Sequence, residues 1–172
     1  KKRLLPLVDL ITPNGKELQK LTGVFAFSWD CLTTAAQKTL ALGATATIIK
    51  GGHIKIADNK SIDFCTNGQH SYWLSSNRIN TENSHGTGCT FASALAALIA
   101  QGYALKDAFV IAKAYINQGL DKVKSHQHCQ DAIWQGAWPN NINHYPEVLV
   151  KGSTFATDID WFAETSQGES SH

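Results

Sequence analysis

The feature that most constrains this chain is a glycine-rich turn that leads directly into an apolar helical run. Residues 83–90 (NSHGTGCT) are followed by residues 91–100 (FASALAALIA). Glycines let the backbone turn so that its amides converge, and these amides join the unpaired N–H groups of the first helical turn. Such a helix start binds anions because the amides and the positive end of the helix dipole point the same way. The pattern predicts a phosphate site beside Cys89, in a position where thiols ionise readily.

A Gly-x-Gly before a helix is, by itself, more typical of an ordinary turn. The segment has neither the third glycine of the dinucleotide fingerprint nor the Gly-Lys-Ser/Thr of the Walker pattern. The whole octet, however, resembles the signature of hydroxymethylpyrimidine/phosphomethylpyrimidine kinases, the thiamine-pathway branch of the ribokinase-like superfamily. The resemblance implies that Gly86, Thr87 and Gly88 form the anion hole for the transferred phosphoryl group. It also implies that Cys89 occupies the position at which most ribokinase relatives carry a catalytic Asp.

Two apolar runs, residues 4–12 (LLPLVDLIT) and 44–50 (ATATIIK), predict strands buried on both faces of a parallel sheet. Helical patterns at residues 15–21, with Asn14 as a cap, and at residues 31–42, with Asp30 or Ser28 as a cap, lie between them. A strand–helix–strand succession implies right-handed parallel crossovers. Ligands of such sheets gather at the carboxyl ends of the strands. Asn14 and Lys50 both fall at such ends, so we expect them to contribute to one site.

Both strand ends also carry segments that resemble the kinase family. Lys50 begins a Lys-Gly-Gly-His segment in which the family's lysine reaches the nucleotide phosphates; the alternative is a solvated lysine before a turn. Asn14 and Glu17 match an Asn-x-x-Glu pair that organises the magnesium and phosphate region in the family. The same pair is equally typical of a helix cap followed by an acid in the first turn. The resemblance therefore implies ATP and Mg²⁺ as cofactors, with an indirect role for Asn14 and Glu17 at the metal.

The rest of the chain contains a hairpin, a long helix and a segment without periodicity. Asn67-Gly68 lies between two strand-like runs (SIDFCT and QHSYWLS) and predicts a β-hairpin. Helical spacing extends over residues 106–124, which favours a kinase domain at 1–124 and an irregular tail or linker at 125–172. Three potential metal ligands at 126–129 (HQHC) lack the spacing of a closed zinc site and are more typical of a solvated helix end.

Composition excludes several other classes of protein. The 172 residues suit one domain, and 15 basic against 14 acidic residues give a net charge of +1, which does not suggest nucleic acid or an acidic membrane surface as a partner. No apolar run is long enough to span a bilayer. Four widely spaced cysteines without a Cys-x-x-Cys pair or a signal peptide predict reduced thiols and a cytoplasmic location.

The sequence thus predicts an α/β, ribokinase-like, three-layer α/β/α fold with a mostly parallel sheet that is apparently incomplete. The resemblance covers about residues 4–123 and corresponds to the C-terminal half of a typical family member. Because the family holds its pyrimidine with the other half, we expect this chain alone to lack pyrimidine kinase activity.

The predicted reaction is ATP-dependent phosphorylation of hydroxymethylpyrimidine and its monophosphate in thiamine biosynthesis, with Cys89 accepting the proton of the attacking hydroxyl. Two alternatives stay open: a pyridoxal kinase-like enzyme, and a non-catalytic kinase remnant that packs against a complete partner. The expected partner is a small aminopyrimidine. A homodimer and a fusion to a thiamine-phosphate synthase domain are further possibilities that the resemblance implies.

Overall fold

A computed structural model describes residues 3–25, 27–52, 54, 59–80, 85–125 and 132–150. Helices alternate with strands in the first half of this part, and a hairpin precedes two longer helices. The elements are β1 (Leu10–Ile11), α1 (Gly15–Thr22), α2 (Trp29–Ala41), β2 (Ala46–Ile49), β3 (Lys60–Thr66), β4 (Ser71–Asn77), α3 (Thr87–Ala100), α4 (Leu105–Ser125) and β5 (Glu147–Val150), with short 3-10 helices at Leu5–Leu7 and Ile142–His144.

The five strands form one mixed sheet in the order β1-β2-β3-β4-β5. Only β1 and β2 pair in parallel among the described strands, and the other three pairings are antiparallel. The α/β class is confirmed, but in this part of the chain the sheet is mixed rather than mostly parallel. Short connections account for the β2–β3 and β3–β4 pairings, since a parallel crossover needs a dozen or more residues. The β4–β5 connection contains α3 and α4 and is long enough for either direction, so its antiparallel pairing does not follow from length.

Helices cover both faces of the sheet, which confirms the three-layer architecture. Successive strand residues point to opposite faces, so neighbours in sequence enter different cores. Ile48, Cys65 and Leu74 pack in the core that α3 and α4 cover. Ile49, Phe64 and Trp73 pack in the core that α1 and α2 cover. The ring of Trp73 stacks on Phe64 with centroids 3.9 Å apart.

The first predicted strand is much shorter than the apolar run suggested. Residues 5–7 form a 3-10 helix with Pro6 in its first turn, and the strand begins only at Leu10. Proline fixes φ and lacks an N–H, so it does not donate to a sheet ladder. Leu4 and Leu7 are 65% and 80% exposed, which shows that apolar composition alone overestimated the strand.

The hairpin around Asn67-Gly68 is confirmed. Gly68 has φ +88°, and the Asn67 side-chain oxygen accepts hydrogen bonds from the amides of Gln69 (3.0 Å) and His70 (2.8 Å). The connection between β3 and β4 therefore consists of the four residues 67–70. Local turn chemistry was sufficient to predict it.

Part of the segment predicted as an irregular tail belongs to the sheet. Residues 147–150 form β5, which pairs with β4, and Ile133 and Leu149 are buried in the two cores. A strand of four residues is too short to produce a convincing alternation in sequence. Residues 126–131 and 151–172, including the HQHC cluster, lie outside the described residues. None of the described helices has the length and apolar character needed to cross a membrane.

Candidate functional site

The parallel strands bring Asn14 and Lys50 side by side, as the strand-end argument predicted. The two residues form an isolated parallel bridge just beyond the ends of β1 and β2. The amide of Lys50 donates to the carbonyl of Pro13 at 3.0 Å. The two predicted segments thus meet at the carboxyl edge of the sheet, where α/β proteins bind ligands.

Asn14 and Glu17 form a complete capping box at the start of α1. The Asn14 side-chain oxygen accepts from the amides of Lys16 and Glu17, each at 3.0 Å. The Glu17 carboxylate accepts from the Asn14 amide at 2.7 Å. The helix-cap alternative is therefore realised in the structure, and a role near the metal stays a prediction.

The glycine-rich turn approaches the Lys50 ammonium closely. Gly86 precedes α3 with φ +81°, a left-handed conformation that favours glycine, and it has no side chain to cap the helix. A Cβ on Gly88 would lie 3.1 Å from Nζ of Lys50. The ammonium makes no hydrogen bond or salt bridge with any residue that the structure describes. A cation without a partner in the described part of the chain, beside the first turn of a helix, favours an anionic ligand.

These residues open onto a cavity of about 570 Å³. Four of the seven predicted site residues line it: Asn14, Lys50, Thr87 and Gly88. The remaining lining residues were not predicted; they are Gly52, Ser61, Asn77, Arg78, Ile79, Asn80, Lys113, Asn117 and Leu120. Lys50, Arg78 and Lys113 are the basic residues of the described lining, and none of the described lining residues is acidic. Asp63 neutralises Lys113, so the charges of Lys50 and Arg78 make this wall suit an anion.

A buried ion pair lies at the wall of the cavity, which Lys113 lines. Asp63 and Lys113 are 3% and 6% exposed, and their charged groups are 2.7 Å apart. The Lys113 ammonium also donates to the hydroxyl of Ser61 at 3.1 Å, and the second Asp63 oxygen accepts from the Gly51 amide at 2.6 Å. The sequence placed Asp63 only within a strand-like run (SIDFCT). A carboxylate between Ile62 and Phe64 was the one sequence signal of this pair.

Arg78 holds the segment that follows Lys50. Its guanidinium donates to the carbonyls of Gly52, Ile54 (2.9 Å) and Lys60 (3.0 Å). These bonds tie the end of β4 and the start of β3 to the loop after β2. Arg78 therefore holds Gly52 and Ile54 through their carbonyls, although no sequence motif pointed to it.

Cys89 and Gly86 line a different hollow from that of Lys50. This second hollow has a volume of about 410 Å³, and its wall includes Tyr115, Gln135 and Trp138. Cys89 is exposed and has a free thiol. Neighbouring residues of one helical turn thus face two spaces, with Thr87 and Gly88 toward the cavity and Gly86 and Cys89 toward the second hollow.

A glycine-rich helix start, a lysine without a partner among the described residues and a sheet edge meet in a three-layer α/β fold, which places the chain in the ribokinase-like class. The family model described as phosphomethylpyrimidine kinase matches residues 1–133. The chain therefore belongs to the phosphomethylpyrimidine kinase family, as the resemblance implied.

Individual relatives agree with this assignment. A thiamine biosynthesis bifunctional protein of Geobacter sulfurreducens is 42% identical over 120 residues, which are 70% of this chain and 24% of that protein. A hydroxymethylpyrimidine/phosphomethylpyrimidine kinase of Streptomyces coelicolor is 39% identical over 69% of this chain and 43% of its own length. The structure of Staphylococcus aureus pyridoxal kinase with AMP-PCP and pyridoxal matches with a TM-score of 0.73 at 33% identity, over 87% of this chain and 55% of that one. The chain thus spans about a quarter to a half of the length of these relatives.

Proposed function

We propose that this chain supplies the nucleotide and phosphate half of an ATP-dependent hydroxymethylpyrimidine/phosphomethylpyrimidine kinase of thiamine biosynthesis. The observation that carries the proposal is the Lys50 ammonium, which lies beside Gly88 at the start of α3 in a cavity whose described lining has no acid. Membership of the phosphomethylpyrimidine kinase family supports the same reaction.

In the proposed reaction the γ-phosphoryl group binds at the start of α3. Lys50 neutralises the charge that develops on the transferring oxygens, and the amides of Thr87 and Gly88 donate hydrogen bonds to them. Phosphoryl transfer needs little covalent chemistry from the protein, so positioning and electrostatics dominate. Cys89 faces the second hollow. In this proposal the nucleotide lies in the cavity, and the hydroxyl group of the pyrimidine substrate approaches the phosphoryl group from the second hollow. There Cys89 takes the hydroxyl proton.

Magnesium enters as part of the Mg·ATP substrate. The described residues contain no group of three or more potential metal ligands, and no acid lines the described cavity wall. This donor set fits an ion held mainly by phosphates and water, which is the usual state of Mg²⁺ in kinases. Glu17, whose carboxylate accepts a hydrogen bond from the amide of the wall residue Asn14, would act on the ion through water. The ion would supply charge neutralisation on the phosphates.

Pyridoxal kinase activity is a second candidate. Staphylococcus aureus pyridoxal kinase shares the fold, and a pyridoxine kinase of Bacillus subtilis is 36% identical over 121 residues. The family model and the relatives at 38–42% identity favour the pyrimidine substrate. Parallel turnover assays of the whole protein with hydroxymethylpyrimidine and with pyridoxal separate the two, since the proposed enzyme should prefer the pyrimidine.

The remaining parts of the proposal concern context. Fusion to a thiamine-phosphate synthase domain is supported by the bifunctional relative of Geobacter sulfurreducens. A cytoplasmic location accords with the free thiols of Cys31, Cys65 and Cys89. A homodimer stays a prediction that a sedimentation measurement would test.

The test of the proposed function is the substitution Lys50→Ala. Loss of a charge-assisted contact to phosphate should weaken ATP binding at least about tenfold, because such hydrogen bonds contribute roughly 1.5–3 kcal/mol. Titration calorimetry with ATP measures the affinity. Lys38→Ala, on the exposed side of α2 and away from the cavity, is the matched control and should leave the affinity unchanged. Equal affinities in all three proteins would refute the role of Lys50.

A further inference from the structure

The buried ion-pair cluster, defined here as Gly51, Ser61, Asp63 and Lys113, connects β3 and α4 with the residue that follows Lys50. Asp63 uses one oxygen for Lys113 (2.7 Å) and the other for the Gly51 amide (2.6 Å). Lys113 in turn is held by Ser61 at 3.1 Å. All three side chains are more than nine-tenths buried. The cluster thus anchors a loop amide with a charged acceptor that lies inside the fold.

Stability alone is a poor explanation for this cluster. Removing two charges from water costs several kcal/mol per ion, and replacing a buried ion pair by apolar residues is often neutral or stabilising. What the pair supplies is a short, charge-assisted hydrogen bond to one particular amide. That amide belongs to the residue immediately after the proposed phosphate-binding lysine.

The backbone at Gly51 is built for this contact. A Cβ there would lie 1.6 Å from the carbonyl oxygen of Ile62, so only glycine lets the loop press against β3. This approach brings the Gly51 amide within reach of Asp63 on the same strand. Arg78 holds the next residue, Gly52, from another direction. Two separate contacts therefore fix the backbone at the base of the Lys50 side chain.

We propose that Asp63 is a positioning residue for Lys50, with Lys113 as its counter-ion. The inference rests on the proposed function, because it assumes that Lys50 binds phosphate. A lysine side chain is long and flexible, and its ammonium has no described partner to orient it. Fixing its backbone reduces the conformational freedom that is lost when phosphate binds. Asp63 therefore raises the affinity for ATP through Lys50 and without contact to the nucleotide.

Two paired substitutions test this role without leaving a buried charge unpaired. Asp63→Leu with Lys113→Met, the apolar pair, removes the acceptor for the Gly51 amide. Asp63→Asn with Lys113→Gln, the amide pair, retains an acceptor of the same size. We expect the apolar pair to weaken ATP binding at least tenfold and the amide pair to keep the affinity within about threefold of the original protein. Urea unfolding of each variant ensures that only folded protein is compared.

The decisive readout is the apolar pair in a Lys50→Ala background. If Asp63 acts through Lys50, the apolar pair should produce no further loss of ATP affinity there, a non-additivity that marks coupled residues. A structural role predicts the same loss with and without Lys50. An equal loss of ATP affinity in both backgrounds would overturn the inference, and so would an unchanged ATP affinity in the apolar pair. If the apolar pair does not fold, a tenfold loss of ATP affinity in the amide pair would overturn it instead.

A surface ion pair between β3 and β5 provides the control. Lys60 and Glu147 are 3.7 Å apart and their side chains are 35% and 48% exposed. Lys60→Met with Glu147→Gln should leave ATP affinity unchanged. If Lys50→Ala itself has no effect, the proposed function and this inference both fail. If Lys50→Ala weakens binding but the apolar pair does not, only the inference fails.

Discussion

Cys89 is separated by one residue from Thr87 in sequence, yet the two line different spaces. This placement suits a base that meets the acceptor rather than the nucleotide. If Cys89 accepts the proton, Cys89→Ser should lower pyrimidine-dependent ATP turnover of the whole protein by about 10²–10⁴-fold, because a hydroxyl releases its proton far less readily. ATP affinity should stay nearly constant.

Cys89→Asp should retain part of this turnover, because a carboxylate can accept the same proton. A merely structural cysteine predicts the reverse order, with serine mild and aspartate damaging. Cys31→Ser, at a half-buried position of α2, is the matched control and should leave turnover intact. Full turnover in Cys89→Ser would disprove the catalytic role.

Cys65 predicts a distinct pH dependence of stability. Burial raises the pKa of its thiol from 9.0 to about 12. Because the pKa of Cys65 is higher in the folded than in the unfolded protein, the contribution of the neutral thiol to the free energy of unfolding is fully present below about pH 9. It is lost as the pH rises toward 12. Between pH 8 and pH 10 the loss should be about 1.4 kcal/mol, and Cys65→Ala should lack it. Urea unfolding at both pH values measures the difference, and parallel curves for the two proteins would contradict the assignment.

The sequence predicted those site residues whose role depends on neighbours in the same short segment. Gly86, Gly88, Lys50 and Asn14 lie in short segments whose motifs can be read directly. The ion pair of Asp63 and Lys113 joins residues that are 50 positions apart, and nothing in either segment specifies the other. Such a contact is defined only when α4 packs against the sheet.

At the scale of the element, helix ends were more predictable than strand ends. The predicted helix 15–21 is observed as Gly15–Thr22, with the expected Asn14 cap. The predicted helix 31–42 is Trp29–Ala41, and Ser28, one of two candidate caps, accepts the Cys31 amide at 3.2 Å. Caps are local hydrogen bonds, so sequence specifies them. Strand bounds depend on a neighbour, which is why residues 4–12 contain only a two-residue strand.

At the scale of the whole molecule, the fold class followed from the sequence but the sheet direction did not. Strand–helix–strand logic correctly paired β1 with β2 in parallel. The hairpin was also predicted, but the sequence did not predict that β3 pairs antiparallel with β2. The strand β5 adds a further antiparallel pairing, with β4. Connection order alone does not specify which strand becomes a sheet neighbour. The sequence therefore constrains pairs of elements better than their assembly.

The segment after α4 offers the last test, because no periodicity predicted that it would join the fold. Leu149 lies opposite Trp73 in the β4–β5 pairing and is 7% exposed. Leu149→Ala should lower the free energy of unfolding by about 2–5 kcal/mol, since the truncation removes buried methyl groups and leaves a cavity. Ile142→Ala, at a position that is 78% exposed, is the control and should change it by less than about 0.5 kcal/mol. Urea unfolding measures both, and an equally small effect at Leu149 would mean that β5 does not contribute to the core.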